Sequence, residues 1–261
     1  MDHYRDRDNQ RGSHQKKKSE FIFGIHPILE AIKAGKEIER VYLLKQVSGE
    51  ALKDLLALVK KHKIPYALVP NEKLNKITHK AHQGAIAYLS VVSYSSLDYV
   101  LEDAYSEGRM PFILVLDCIT DVRNFGALCR TAECAGVDAV IIPSKGAARV
   151  SEDAIKTSAG ALHHIRLCRA SNLIQTVRYL RDSGLEIVSC TEKTEDGLYS
   201  GKFNAPVAIV MGSEEFGVSS EILKISSQKV KIPLLGEIGS LNVSVAAGIV
   251  LYEARRQQLG D

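Results

Sequence analysis

Two hydrophobic patterns succeed one another along this chain. Between residues 21 and 92, short apolar runs alternate with amphipathic stretches; beyond residue 112, strand-length runs become apolar throughout. In the first region, residues 27–34 predict a helix with Pro27 near its first turn and Gly35 as its stop. Residues 41–44 predict a strand, 50–62 an amphipathic helix, 66–69 a strand, 71–77 a short capped helix and 86–92 a closing strand. That αβαβαβ order fills about 75 residues, the size of a small independent domain. Residues 95–111 are polar and suit a helical linker.

The second region offers six strand candidates, at 113–117, 139–143, 165–168, 186–190, 207–211 and 229–232. Helical patterns fall between most of them, at 127–135, 152–162, 173–183 and 220–225, and a long one follows the last strand. Apolar strand cores alternating with helices predict an α/β fold with a mainly parallel six-stranded sheet, covered by helices on both faces. The expected organisation is a basic tail at 1–19, a first domain at 20–95, a linker at 96–110 and a second domain at 111–261. No internal repeat is present.

Composition alters this picture little. Hydrophobic residues make up 45% and charged residues 25%, the balance of an ordinary globular chain. No apolar run approaches the roughly 20 residues that span a membrane, and the N-terminus lacks the apolar core of a signal peptide. The five cysteines (Cys118, Cys129, Cys134, Cys168 and Cys190) form no C-x-x-C pair. An odd set of thiols, mostly within apolar patterns, fits the reducing cytoplasm. A net charge of +3 and a pI near 8.5 permit nucleic-acid binding without arguing for it. Residues 1–19 hold no aliphatic side chain after Met1 and carry a lysine run, Lys16 to Lys18. Such a stretch is expected to be disordered, either as a solubilising tail or as an electrostatic arm on RNA phosphates.

The chemistry lies in three loops of the second domain. The first follows LVLD at 114–117 and runs through Asn124, Phe125 and Gly126 to Arg130. Gly126 lets the chain turn into a helix, and Arg130 about one turn later can face the same cleft as Asn124. The second is VAIVMGSEEFG at 207–217, with Gly212 and Gly217 bracketing Glu214; glycines at both ends allow close backbone approach to a ligand. The third begins at Ile232-Pro233, passes Gly236 and reaches Ser240, Leu241, Asn242 and Ser244. Asn242 and Ser244 open a helix whose free N–H groups suit a polar or anionic partner. Val243, Ala246, Ala247, Val250 and Ala254 then give that helix a narrow face of small residues for tight packing. Strand ends followed by such loops are how open α/β sheets build ligand crevices.

Other chemistries lack their motifs. No G-x-G-x-x-G follows the first strand of the second domain, and no Walker sequence is present. The Ser residues stand in no G-x-S-x-G elbow. His163 and His164 have no partner at metal-ligand spacing, so no metal site is expected.

Over about its C-terminal 150 residues the chain resembles the SpoU (TrmH-like) family of RNA ribose 2′-O-methyltransferases, within the SPOUT superfamily, through these three motifs in this order. The resemblance implies S-adenosylmethionine as cofactor, held by backbone around Gly212, Ile232 and Leu241, with Gly217 and Gly236 in the same loops. It implies that Asn124 and Arg130 are catalytic-site residues, with Glu214, Ser240 and Asn242 orienting the arginine, the ribose or the cofactor. Family accounts make this arginine a base; the reluctance of a guanidinium to give up its proton favours Arg130 as a stabiliser of the developing alkoxide or a grip on the adjacent phosphate. The resemblance further implies a C-terminal trefoil knot and a homodimer with the active site near the subunit interface. Glu215 and Phe216 depart from the family, which usually carries smaller residues there. The N-terminal module resembles the RNA-binding substrate domain often attached to this family, through GIHPILEAI at 24–32 and HQGAIA at 82–87. Gln83 and Gly84 would present a turn and an amide to RNA, or simply pack before the last strand. A guanosine of 23S rRNA is the expected target, with tRNA methylation or a catalytically silent ribosome-assembly factor as alternatives.

Overall fold

The computed structural model describes residues 21–46 and 49–260, so the tail expected at 1–19 lies outside the described residues. The first domain contains β1 (Phe21–Phe23), α1 (Ile25–Lys33), β2 (Ile38–Leu44), α2 (Glu50–Lys61), β3 (Tyr66–Val69), α3 (Asn71–Ile77) and β4 (Ala85–Leu89). Its sheet has the order β1-β4-β2-β3, with β4 antiparallel to both neighbours and β2 parallel to β3. The periodicity missed β1, because three residues are too few to show alternation; pairing with β4, Phe21 opposite Tyr88, is what makes Phe-Ile-Phe a strand. α1 and α2 cover one face, burying Ile28, Ile32, Leu55 and Val59 against Val41, Leu43 and Ala87. On the other face α3 alone packs, through Leu74 against Val69 and Ile86.

The second domain runs α4 (Leu97–Ser106), β5 (Phe112–Asp117), α5 (Val122–Cys134), β6 (Ala139–Pro143), α6 (Glu152–Thr157), β7 (Arg166–Ala170), α7 (Leu173–Asp182), β8 (Glu186–Cys190), β9 (Val207–Gly212), α8 (Ser220–Ile225), β10 (Gln228–Val230) and α9 (Val243–Leu259). The six strands form the expected parallel sheet, in the order β10-β8-β9-β5-β6-β7. Every residue of β5 and β9 is buried, which explains why these strands read as unbroken apolar runs. Their side chains alternate between two layers. Leu114, Leu116 and Ile209 meet α5, α6 and α9 on one face, while Ile113, Val115 and Val210 meet α4, α7 and α8 on the other. The polar 95–111 segment is thus more than a tether, since Val100 and Leu101 of α4 belong to the second of these cores.

Local chemistry moved two boundaries. α5 begins at Val122 instead of the expected 127, because the Asp121 carboxylate accepts from the amides of Arg123 (2.9 Å) and Asn124 (2.8 Å). Gly126 therefore does not turn the chain into the helix. It lies inside α5, where an added Cβ would stand 2.0 Å from Thr157 Oγ1, so its role is to let α5 and α6 approach. The helix expected at 152–162 breaks after Thr157, as Ala159 and Gly160 take left-handed φ of 50° and 87°, and resumes as a short 3-10 turn, Ala161–His163.

The two domains meet along β7. Tyr94 bridges to Leu167, and the Ser95 amide donates to the Leu167 carbonyl at 2.9 Å. Arg169 of β7 stacks 3.7 Å over the Tyr94 ring, donates to the Tyr94 hydroxyl, and pairs with Glu39 Oε2 at 2.5 Å. Tyr94 completes the triad by donating to Glu39 at 2.6 Å. Burial and the neighbouring Glu39 carboxylate push the Tyr94 phenol well above its ordinary range, so it remains a donor. Removing one partner of a buried pair typically costs about 3–5 kcal/mol, so this contact holds the domains in one relative pose.

Candidate active site

The chain lays down β5, β6 and β7 toward one edge of the sheet, then crosses to β8 and inserts β9 against β5, Gly212 opposite Asp117. That reversal between β5 and β9 is a topological switch point, where loops after the strands diverge and leave a crevice. A cleft of about 780 Å³ opens there, bordered by residues 190–193 after β8, 211–217 after β9, and 231–234 and 239–241 after β10.

The β9 loop folds tightly on itself. Gly217 donates its amide to the Ser213 carbonyl at 2.9 Å, and Ser213 Oγ accepts from the Phe216 amide at 3.1 Å. A Cβ on Gly212 would stand 2.0 Å from the Gly217 carbonyl carbon, so this glycine serves closure of the loop itself. Loop closure is thus a second demand on Gly212, beside the close backbone approach to a ligand expected of it at the cleft wall. Gly217 has a left-handed φ of 69°, which a residue with a side chain rarely adopts. At the loop exit, the buried Asp117 accepts from the Ser219 amide at 2.8 Å and ties β5 to the end of the β9 loop.

Three sequence-predicted residues, one from each motif, converge beside this cleft. Asn242 donates through Nδ2 to Asn124 Oδ1 at 2.9 Å and to Glu214 Oε1 at 2.8 Å, and Asn124 Nδ2 donates to the same Glu214 oxygen at 3.1 Å. The amide of Val243 at the start of α9 also points to Glu214 Oε1, at 3.4 Å. A carboxylate suits this position, because the first turn of a helix carries partial positive charge. Asn242 is also the N-cap of α9: its Oδ1 accepts from Ser244 N at 3.0 Å and from Ser244 Oγ at 2.6 Å. Capping and membership of the site are not alternatives here.

Ile232, Ser240 and Leu241 line the cleft with Gly212, Glu214 and Gly217. Gly236 does not; it is exposed, with open space where a Cβ would stand. Arg130 also stays apart from the cleft. Six helical residues turn it about 240° from Asn124, onto the exposed α5 surface that carries Arg123 one heptad earlier. Among the described residues Arg130 has no hydrogen bond or ion pair.

Sequence reasoning passed over the loop after β8, where Thr191, Glu192 and Lys193 line the cleft. The signal was the strand order, which sets β8 beside β9 and is invisible until the sheet is assembled. Cys190 at the end of β8 also lines the cleft, and burial, aided by Glu192, pushes its thiol up to about 11. Lys193 Nζ reaches the Phe216 carbonyl at 3.5 Å.

Comparison with known proteins matches residues 111–252 to the SpoU rRNA Methylase family and residues 21–95 to a domain described as RNA 2′-O ribose methyltransferase substrate binding. A putative TrmH family tRNA/rRNA methyltransferase of Staphylococcus saprophyticus is 31% identical over 242 residues, spanning 92% of this chain and 97% of the relative. A Bacillus subtilis relative of the same description, YacO, is 30% identical over 240 residues, 92% of this chain and 96% of its own. Among solved structures, an RNA 2′-O ribose methyltransferase superimposes with a TM-score of 0.54 at 27% identity, covering 92% of this chain and 88% of that one. The SpoU methyltransferase AviRb of Streptomyces viridochromogenes, in complex with AdoMet, shares the fold with a TM-score of 0.58 at 21% identity, over 92% and 91% of the two chains. The chain belongs to the SpoU (TrmH-like) family of RNA ribose 2′-O-methyltransferases.

Proposed function

We propose that this protein transfers a methyl group from S-adenosylmethionine to a ribose 2′-hydroxyl of RNA, in a guanosine of large-subunit rRNA. The observation that carries this reading is the Asn124–Glu214–Asn242 network at the edge of the cleft. The cleft fits the cofactor on its own terms. Its size lies within the range of cofactor sites, roughly 300–1,000 Å³. Met211, Ile232 and Leu241 offer apolar surface for an adenine ring, while Glu192, Lys193 and Ser240 offer polar groups for the charged end.

When bound, S-adenosylmethionine supplies an activated methyl group, so the protein has to orient a poor nucleophile and bear its developing charge. Glu214, anchored by three N–H donors, fixes the side-chain amides of Asn124 and Asn242. These amides are the polar groups able to orient the ribose at the cleft edge. Arg130 carries a planar guanidinium with five N–H donors. Its part is to stabilise the alkoxide or grip the neighbouring phosphate.

Arg130 sits apart from the network within one chain, which favours a homodimer. Val245, Tyr252 and Leu259 are exposed at successive heptad positions along α9, an apolar stripe on the helix that packs against α5. A second copy covering this stripe lies beside the exposed face of α5 that bears Arg130. Tyr252→Glu is expected to convert the dimer to a monomer in sedimentation. The family's C-terminal knot is supported by the course of the chain, which leaves the sheet edge at β10 and returns to bury α9 against α5.

Two measurements test the reading. Calorimetry with S-adenosylmethionine distinguishes an enzyme from a silent RNA-binding assembly factor, which need not hold the cofactor. Mapping 2′-O-methyl sites in the RNA of a deletion strain gives the substrate. A site missing from 23S rRNA supports the proposal, and one missing only from tRNA overturns its rRNA part.

A further inference from the structure

We propose that the sheet face of the first domain opposite α1 and α2 is a platform for an unpaired stretch of RNA, completed by Arg149 from the second domain. The proposal rests on RNA being the substrate. Its basis is the register of the sheet. Phe21 lies opposite Tyr88, which lies opposite Arg40; Phe23 lies opposite Ile86, which lies opposite Tyr42. Directly paired residues share a face, so four aromatic rings stand together there. Tyr88 contacts Phe21 at 5.8 Å and meets Tyr42 edge-on at 6.0 Å between ring centroids. The other face of the sheet is filled by α1 and α2, but on this one α3 packs over a single end, leaving all four rings partly exposed.

Cations are interleaved with the rings. Lys73 Nζ lies 5.1 Å from the centroid of Tyr42, and Lys80 Nζ lies 5.8 Å from that of Phe23. The Arg149 guanidinium stacks 3.7 Å over Tyr88. Among the described residues none of Arg40, Lys73, Lys80 and Arg149 takes part in an ion pair, and Glu72 is the acidic residue of α3. A satellite core explains the rings; it does not require their rim to carry unneutralised positive charge.

Unpaired RNA is the occupant whose chemistry matches both parts. Its bases stack on aromatic rings or on arginine planes, and its phosphates pair with lysines. Duplex RNA is recognised through shape, phosphates and 2′-hydroxyls, and makes no use of rings. Arg149, held by Tyr88 on one side, offers its other plane to a base. Arg149 also connects the platform to the chemistry. The amide of its neighbour Ala148 donates to the Ile119 carbonyl at 2.7 Å, in the loop that leads into α5 and Asn124. A strand lying over Tyr88 and Arg149 therefore runs toward the catalytic network.

The chain has no tryptophan, so Tyr88→Trp introduces a single indole into the full-length protein. Titration with a mixed-sequence oligoribonucleotide about 12 nucleotides long, within the span of single-strand platforms, is expected to quench that indole. The same length of blunt RNA duplex is expected to leave it unchanged. In anisotropy measurements Arg149→Ala, and separately Lys73→Ala with Lys80→Ala, are expected to weaken oligonucleotide binding at least about fivefold. The lysine pair should also flatten the salt dependence. All three positions are exposed, so these variants keep the fold. Binding of the oligonucleotide with the indole silent and all variants at wild-type affinity would overturn the platform, as would equal quenching by the duplex. Calorimetry with S-adenosylmethionine on the same preparations separates the two ideas: cofactor binding without any effect at this face leaves the proposed function standing and removes only the platform.

Discussion

At the scale of single residues, Gly212 and Arg130 stand in positions that spacing along the chain does not reveal. Gly212 meets its own loop, since an added Cβ would press on the backbone of Gly217 and Val218 at 2.0 and 2.1 Å. Even Gly212→Ala is therefore expected to lower the melting temperature and cofactor affinity together, in scanning calorimetry and titration calorimetry respectively. A variant that kept its melting temperature and lost only cofactor would return the glycine to a purely ligand-facing role. Arg130 is exposed and makes no hydrogen bond or ion pair among the described residues. Arg130→Ala should leave melting temperature and cofactor affinity unchanged while slowing single-turnover methylation by about 100- to 1,000-fold, the usual loss for one preorganised donor. Arg130→Lys keeps the charge but loses the planar fork, and should be impaired as well. Wild-type rates in both variants would mark Arg130 as a surface residue.

At the scale of elements, strands carry two thiols whose ionisation the fold opposes. Burial pushes Cys168 of β7 up to about 11, against a smaller lowering by Arg166. Cys190 of β8 reaches about the same value, raised by burial and then by Glu192. Both pKa values are raised on folding, so the stability they contribute is whole below the ordinary thiol value of about 9.0 and is lost as pH rises through about 11. Melting temperature should fall across that window, and Cys168→Ala with Cys190→Ala should flatten the fall; an unchanged slope would assign it to other groups. The same elements show what a single sequence makes legible. β5 and β9 were readable because strands buried on both faces have no polar positions. β1 was not, because its identity comes from a partner more than sixty residues away, Tyr88. The start of α5 lay in a side-chain cap at Asp121 rather than in the apolar period. Beside the cleft, the three motifs pointed to Asn124, Glu214 and Asn242, which the fold brings together, and also to Gly236 and Arg130, which it leaves apart. Glu192 and Lys193 were not legible, since only the assembled strand order brings their loop to the cleft.

At the scale of the whole molecule, the domains are joined by chemistry and not by a passive tether. α4 belongs to the second core, and the Arg169–Glu39–Tyr94 triad fixes the first domain against β7. A fragment starting at Ser96 retains α4 and is expected to fold and bind S-adenosylmethionine, yet to lose most activity on RNA. One starting at Pro111 uncovers Val100's partners and should melt well below it. Full activity from the Ser96 fragment would remove the first domain from substrate recognition.

The strand order also governs how the protein comes into being. β5 is paired along its whole length with β9, residues 112–117 against 207–212. Synthesis at about 5–20 residues per second separates the appearance of the two by roughly 5 to 20 seconds. Throughout that interval the nascent chain carries the central apolar strand with one edge unpaired, the kind of edge that recruits other chains. Asn242 and α9 emerge later still. The switch point that makes the crevice thus also makes the Asn124–Glu214–Asn242 network among the last parts of the protein to exist, and leaves the ribosome-bound chain dependent on whatever shields that edge until then.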